Sequence, residues 1–183
     1  MINASSVLFQ IRPFTVDDAT AYATAVSDSF RSLSNWLNWP HEHYTADDAR
    51  AWIAACDTTR QDGTADEYGI FERGSGLLLG GVGIHGVDGM HRYGALGFWV
   101  RRTHQWRGIA TQAAHLISGQ AFSSLGLQRV ELVIAEHNVA SRRVAEKLGA
   151  RFEGMAVNRL CIHGRQLTAA TYSLTPKGGA SQA

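Results

Sequence analysis

A strand, a basic loop and a helix that begins at a glycine follow one another from Phe98 to Thr111. Backbone N–H groups at a helix N-terminus carry the positive end of the helix dipole, so such a turn attracts phosphate oxygens. Gly108 lacks a Cβ and allows close approach to the backbone. The loop adds three guanidinium groups that suit a phosphate, which are Arg101, Arg102 and Arg107. The structural alternative is that Gly108 only begins a helix and that the arginines are solvated.

A second group of polar residues lies about thirty residues further along the chain. Asn138 and Ser141 stand at the start of a shorter predicted helix, and the run Glu146-Lys147-Leu148-Gly149-Ala150-Arg151-Phe152-Glu153-Gly154 follows them. Asparagine is a preferred helix N-cap, so Asn138 has a structural role to play even where it also contacts a ligand.

Hydrophobic periodicity predicts the elements that position these residues. Apolar or alternating runs indicate seven strands, at Val7–Arg12, Glu67–Arg73, Leu77–Val87, Tyr93–Val100, Arg129–Ala135, Arg151–Ile162 and Leu167–Leu174. Helical spacing indicates four helices, two after the capping-box pairs Thr15–Asp18 and Thr45–Asp48 and two at Gly108–Leu125 and Val139–Leu148. Turns are predicted at Gly74-Ser75-Gly76 and His163-Gly164-Arg165.

The order of these elements predicts a single α/β domain. Three antiparallel-looking strands precede the central helix, so the chain does not follow the strict alternation of a doubly wound sheet. We expect a mixed sheet with helices on both faces. At 183 residues the chain has the length of one domain, predicted over residues 1–175, with a disordered tail over 176–183.

Composition excludes several classes of partner. The formal net charge is +1, which argues against nucleic acid and against a membrane surface. The longest apolar stretches, such as 77–84, are too short to span a bilayer. Cys56 and Cys161 have no partners at metal-ligand spacing, and His41-Glu42-His43 is more simply an exposed polar loop, so no metal is expected. The start of the chain lacks a charged signal-peptide region, and the predicted location is the cytoplasm.

The two polar groups together resemble the GCN5-related N-acetyltransferase (GNAT) superfamily. Gln105-x-x-Gly108-x-Ala110 is similar to the Q/R-x-x-G-x-G/A acetyl-CoA signature, and Asn138-x-x-Ser141 with its following run is similar to a second motif of that superfamily. The likeness covers about residues 8–174. It implies the GNAT fold, a mostly antiparallel sheet splayed at a central parallel pair of strands.

The resemblance also implies a role for each motif residue. Acetyl-CoA would be the cosubstrate, with Phe98 and Val100 against the pantetheine arm and a Val100 N–H on the oxyanion. Asn138 would contact the pantetheine region, and Ser141 would donate a proton to the departing sulfur. The pyrophosphate would lie on the backbone of seven residues, which are Gln105, Trp106, Arg107, Gly108, Ile109, Ala110 and Thr111.

The general base is where this sequence departs from the superfamily. Many relatives carry a glutamate on the strand before the loop, where this chain has Ala95, and RimL-like members carry another where it has Leu160. His85, on the preceding strand, is predicted to replace them because imidazole titrates near neutrality. A water relay without a dedicated base is the alternative, as is a structural role for His85.

Within the superfamily the likeness is greatest to the RimJ/RimL type, which acetylates N-termini of ribosomal proteins. The segment 34–40 and the strand residues Gly97–Val100 carry that likeness. A protein N-terminal amine is therefore the expected acceptor, followed by a small-molecule amine. A non-catalytic CoA-binding module is the rival class. Trp36 and Trp39 either line the acceptor groove or only pack, and relatives often form homodimers although no surface here argues for one.

Overall fold

The computed structural model describes residues 9–176, so the predicted tail beyond Pro176 and the first two residues of the predicted first strand lie outside the described residues. Residues 9–176 form seven strands and four α-helices. The strands are β1 (Phe9–Pro13), β2 (Asp66–Glu72), β3 (Leu78–Asp88), β4 (Tyr93–Val100), β5 (Arg129–Ala135), β6 (Arg151–Ile162) and β7 (Arg165–Leu174). The helices are α1 (Ala19–Leu33), α2 (Ala46–Gln61), α3 (Ile109–Ser123) and α4 (Val139–Lys147).

The seven strands form one sheet in the order β1-β2-β3-β4-β5-β7-β6. Every neighbouring pair is antiparallel except β4 and β5, which are parallel. That parallel pairing covers only residues 93–95 against 129–131. Beyond Ala95 and Glu131 the two strands continue without pairing, so a gap opens in the centre of the sheet. The mixed, centrally splayed sheet confirms the predicted fold class.

Helices cover both faces of the sheet, as expected. On one face α1 and α2 pack over Phe71 and Leu78 in a cluster that also buries Tyr22, Val26 and Ile53. On the other face α3 and α4 pack over the central strands in a cluster made largely of apolar residues of β3, β4, β5 and α3. The gap between β4 and β5 therefore lies between two independently packed layers.

Two predicted boundaries differ from the structure for local reasons. Thr15 and Asp18 form their capping box, but it closes a short 3₁₀ turn, and α1 begins only at Ala19. Arg12 donates two hydrogen bonds of 2.7 Å to the Asp18 carboxylate and fixes that turn against β1. The last hairpin turns on two left-handed residues, His163 at φ 48° and Gly164 at φ 75°, so the strand already begins at the next residue.

Candidate active site

A cavity of about 880 Å³ occupies the gap between the splayed strands and opens toward both layers of helices. Its floor is the second half of β4 and the end of β5. On one side it is bounded by the loop before α3 and by the start of α4, and on the other by the α1–α2 connection and by β6. A long ligand can thus enter from one face of the sheet and meet a second ligand arriving from the other.

The edge of β4 presents free backbone groups to this gap. Arg101 donates its N–H to the Leu79 carbonyl of β3 at 2.7 Å. Because successive residues of a strand direct their N–H and C=O to opposite neighbours, Phe98 and Val100 direct theirs toward the side that β5 has left. The Val100 carbonyl is bonded there by the Gln105 side chain at 3.1 Å. This edge can form strand-like hydrogen bonds with an extended ligand.

The turn into α3 supplies a row of unpaired backbone donors. Within residues 9–176, the first N–H of this turn with a backbone acceptor is that of Gln112, which bonds the Gly108 carbonyl at 3.1 Å. The amides of residues 106–111 have no protein acceptor in the same part of the chain. Trp106 and Gly108 are both left-handed, at φ 65° and 78°, and this curls the loop around its own amides. Such a concave row of amides suits a diphosphate.

The seven residues predicted to hold the pyrophosphate, here called the cradle, line the cavity with one exception. Gln105, Trp106 and residues 108–111 lie on its wall, whereas the Arg107 guanidinium bonds the Thr103 carbonyl at 3.3 Å outside it. The tryptophan side chain is 80% exposed. The loop that carries the sequence motif therefore faces the cavity mainly with its backbone.

The loop arginines do not supply charge to the cavity in the described structure. Arg101 forms an ion pair with Asp28 of α1, and the Arg102 backbone N–H donates to the Ser29 hydroxyl at 3.0 Å, so both residues hold the loop against α1. Neither arginine lines the cavity within the described structure. The cavity cations are instead two residues of α4 and one of β6, namely Arg143, Lys147 and Arg159. Lys147 belongs to the second sequence motif, whereas nothing in the sequence indicates that Arg143 and Arg159 line the same cavity.

Asn138 and Ser141 meet at the start of α4, on the cavity wall. The Asn138 side-chain oxygen accepts a hydrogen bond of 3.2 Å from the Ser141 backbone N–H, so Asn138 is the N-cap of α4. This cap holds the Ser141 side chain at the mouth of the gap. The structural role predicted for Asn138 is present, and its amide nitrogen remains available to a ligand.

His85 lines the cavity beside one of the two positions that lack the superfamily's carboxylate, and the other position lines the same cavity. Its partner across the β3–β4 ladder is Ala95, and Leu160 of β6 lines the same cavity. The imidazole is 53% exposed to the cavity, and partial burial lowers its pKa. A neutral imidazole at neutral pH can accept a proton from an ammonium group.

The carboxylate nearest to His85 is one that the sequence analysis did not identify. Glu67 of β2 places its Oε1 3.9 Å from His85 Nδ1, and its side chain is only 24% exposed. Burial, assisted by the neighbouring Asp66 charge, raises the pKa of Glu67 to about 7. No sequence motif marks Glu67, because its position depends on the pairing register of three strands.

The α1–α2 connection and the β6–β7 hairpin together close the side of the cavity opposite the loop before α3. The Asn38 side chain donates to the Cys161 carbonyl at 2.7 Å and accepts from the His163 N–H at 2.8 Å. Trp36 and Trp39 both line the cavity beneath this bridge. Trp39 also packs edge-on against Trp99 with ring centroids 6.2 Å apart, so the packing predicted for it is present, and contact of either tryptophan with an acceptor stays a prediction.

Among the described residues, neither a cluster of metal ligands nor a bilayer-spanning helix is present. Among residues 9–176, no three His, Cys, Asp or Glu side chains come close enough to hold a metal ion. His41 instead lies 3.6 Å from the Asp48 carboxylate. No helix within the same range is both long and apolar enough to cross a bilayer.

Comparison with known proteins places this geometry in a family. Residues 9–151 match the acetyltransferase (GNAT) domain. The Bacillus subtilis (strain 168) protein YdaF, whose name provisionally describes a ribosomal N-acetyltransferase, is 31% identical over 166 residues, which is 90% of this chain and 89% of the relative. The spermidine N(1)-acetyltransferase of Escherichia coli (strain K12) is 22% identical over 176 residues, or 90% of this chain and 83% of the relative.

Solved structures share the whole fold. A Vibrio cholerae protein, provisionally described as a ribosomal-protein-serine acetyltransferase, superposes with a TM-score of 0.81 and 27% identity, covering 93% of this chain and 95% of its own. RimL, a ribosomal L7/L12 α-N-protein acetyltransferase in complex with coenzyme A, superposes with a TM-score of 0.85 over 93% of this chain and 95% of its own. At 20% identity, this likeness shows a shared fold and nothing more.

Proposed function

The chain belongs to the acetyltransferase (GNAT) domain family, and from this premise we propose that it moves the acetyl group of acetyl-CoA to a protein N-terminal α-amine. Family membership confirms the resemblance carried by the two sequence motifs. The observation that carries the proposal is the row of unpaired amides over residues 106–111 at one end of the β4–β5 gap. N-termini of new proteins are presented in the cytoplasm, which we propose as the site of action.

The hydrogen-bonding groups and the cations around the cavity fit the phosphates and the pantetheine arm of coenzyme A. The amides from 106 to 111 and the Gly108 backbone suit the pyrophosphate, while Arg143 and Lys147 supply cations nearby for the remaining phosphate charge. The free edge of β4 at Phe98 and Val100 suits the amide groups of the pantetheine arm. CoA bound in this way supplies an activated thioester, and the chain supplies its position in the gap.

The acceptor amine must be uncharged when it attacks the thioester carbonyl. An α-amine has a reference pKa near 7.7–8.0 and is about one-tenth free base at pH 7, whereas a lysine near 10.4 is below about one part in a thousand. An N-terminal acceptor therefore needs little help, which suits a site whose base is His85 rather than a carboxylate on β4. The Val100 N–H faces the gap and is our candidate donor to the oxyanion.

Replacing Ser141 with alanine is expected to lower kcat by about tenfold and to leave acetyl-CoA binding within about twofold. The reason is that the hydroxyl is proposed to donate to sulfur only as the C–S bond breaks, while the Asn138 cap uses the backbone of this residue and survives the change. Steady-state kinetics with calorimetric affinities measures both. An unchanged kcat would assign the proton donation to water.

The charge of the cavity favours a particular kind of acceptor amine. Its charged lining residues in the described chain are Arg143, Lys147 and Arg159, and no carboxylate lines it. A polyamine would bring a second ammonium group into a wall that has no counter-charge for it, and like charges in a confined site repel strongly. A peptide N-terminus carries one titratable amine and neutral amides, so it suits this cavity better than spermidine does.

A thiol-release assay across a panel of amines tests the proposed function. With acetyl-CoA saturating, we expect N-terminal peptides to be acetylated with kcat/KM at least about tenfold above spermidine, aminoglycosides and lysine side chains of N-terminally blocked peptides. A peptide with Asp at its second position should exceed the matched peptide with Lys there. Preferential turnover of spermidine would select the small-amine alternative. Absence of turnover on every amine, with CoA still bound, would select the non-catalytic module.

A further inference from the structure

We propose that Glu67 is a positioning residue that orients His85 and receives the proton His85 removes from the acceptor amine. This inference rests on the proposed function, because His85 has a proton to pass on only if an amine is acylated in the gap. Glu67 lies behind His85 as seen from the cavity: His85 lines the cavity wall, and Glu67 approaches the Nδ1 side of its ring.

Three adjacent strands are built to leave room for this pair. Glu67, Gly83 and Gly97 lie opposite one another across β2, β3 and β4 and share one face of the sheet, to which His85 also belongs. A Cβ on Gly83 would clash with the Glu67 Oε2, and a Cβ on Gly97 would lie 3.0 Å from the His85 Cε1. The two glycines form a floor on which the carboxylate and the imidazole lie side by side.

The surroundings leave the Glu67 carboxylate free to pair with His85. The nearby cation, Arg60 of α2, is bonded to the Asp66 carboxylate at 2.7 Å and to the Glu67 backbone carbonyl. The other titratable groups that face Glu67 are Cys56 of α2 and Tyr22 of α1, both neutral at physiological pH because burial raises the pKa of each. The 3.9 Å separation from His85 is the span that one water or a small ring rotation closes.

The proton steps balance within the proposed reaction. His85 Nε2 takes one proton from the acceptor ammonium, and the Nδ1 proton passes to the Glu67 carboxylate, which leaves the imidazole neutral. The free amine then attacks the acetyl carbon. As the C–S bond breaks, Ser141 donates its hydroxyl proton to the sulfur and takes the second proton of the amine nitrogen in its place. Glu67 returns its proton to solvent before the next turnover. A carboxyl whose pKa is about 7 can both accept and release a proton near neutral pH.

Replacing Glu67 with glutamine tests this relay, with Glu72→Gln on the same strand as the matched control. Glu72 accepts a hydrogen bond from Ser75 at 2.5 Å and does not line the cavity within the described structure. In the starting protein kcat should rise with pH through about 7, where Glu67 ionises. Glu67→Gln should lower kcat by about tenfold or more and move this ascending limb to lower pH, where His85 alone titrates, with the KM for acetyl-CoA unchanged.

Glu67→Asp, which keeps a carboxylate, should retain the ascending limb, and Glu72→Gln should leave the whole profile unchanged. Thermal unfolding shows whether the variants fold.

The folded protein binds the Glu67 proton more tightly than the unfolded chain does, because the pKa of this carboxyl is raised to about 7 in the fold. Ionisation of Glu67 therefore destabilises the fold as pH rises from about 4.5 to about 7. Glu67→Gln should therefore raise Tm by about 2–6 °C at pH 8 and hardly at pH 4.5.

The outcomes separate this inference from the proposed function. An active protein whose pH limb is unmoved by Glu67→Gln would overturn the relay and leave the acetyl transfer intact. A fall in kcat with an unmoved limb would mean that Glu67 only supports the fold, and it would also overturn the relay. A protein that acetylates no amine at all would overturn the proposed function instead, whatever the unfolding temperatures show.

Discussion

Gly108→Val should weaken the binding of CoA and acetyl-CoA by about a hundredfold, which corresponds to about 2.7 kcal/mol. Gly108 has φ 78°, a left-handed conformation that a β-branched residue adopts at a cost of about 1–3 kcal/mol. The valine would also place methyl groups where the phosphate approaches the amides of residues 106–111. Isothermal titration calorimetry with CoA measures the loss directly.

The matched control for this change is Gly126→Val, because it carries the same strain away from the cavity. Gly126 has φ 65°, lies in the turn after α3, and has open space around the position of a Cβ. It should lower Tm by about as much as Gly108→Val while leaving CoA affinity unchanged. Equal affinities in all three proteins would show that the pyrophosphate does not lie on this turn.

His85→Asn should lower kcat by about a hundredfold at pH 7, the usual size of a general-base contribution, with the affinity for acetyl-CoA unchanged. The asparagine fits within the space of the imidazole but cannot accept a proton. His91→Asn, in the exposed turn between β3 and β4, is the matched control and should behave as the starting protein. Steady-state rates with the preferred peptide provide the measurement.

The contrary result for His85 is equally informative. A kcat within about twofold of the starting protein would assign proton removal to water, the alternative to His85, and would withdraw the role proposed for Glu67. A matching loss in the His91 variant would point to a general effect on folding, which Tm would reveal.

The sequence predicted the parts of the fold that depend on local pattern. The strand-like run Tyr93–Val100 and the alternating run Arg129–Ala135 placed β4 and β5 at their observed bounds, and the Thr45–Asp48 capping box placed the start of α2. The gap between β4 and β5 followed from the family resemblance, since nothing in the residues of either strand specifies where pairing stops. The 3₁₀ turn before α1 was not predicted because a capping box looks the same before either kind of helix.

In the candidate site, too, the features that depend on a local motif were predicted and those that depend on tertiary contacts were not. The cradle is a property of one contiguous loop, so a short motif was enough to indicate it. Arg101, which the loop motif offered as a donor to phosphate, pairs in the described structure with Asp28, and the sequence does not indicate this pair because the two residues lie 73 positions apart. Glu67 and Arg159 were missed because only the strand register and the fold bring them near the cavity. Residues that only the fold brings together have no characteristic spacing in the sequence, so a motif cannot indicate them.

The most direct test of the account is a titration of the ¹⁵N-labelled protein with CoA, followed by ¹H–¹⁵N correlation spectra. We expect the largest shifts at the amides of residues 106–111, which have no protein acceptor in the described chain, with smaller shifts at Phe98 and Val100 along the open edge of β4. Shifts concentrated on another surface, or an unchanged spectrum at millimolar CoA, would contradict the placement of the cofactor and with it the proposed enzyme.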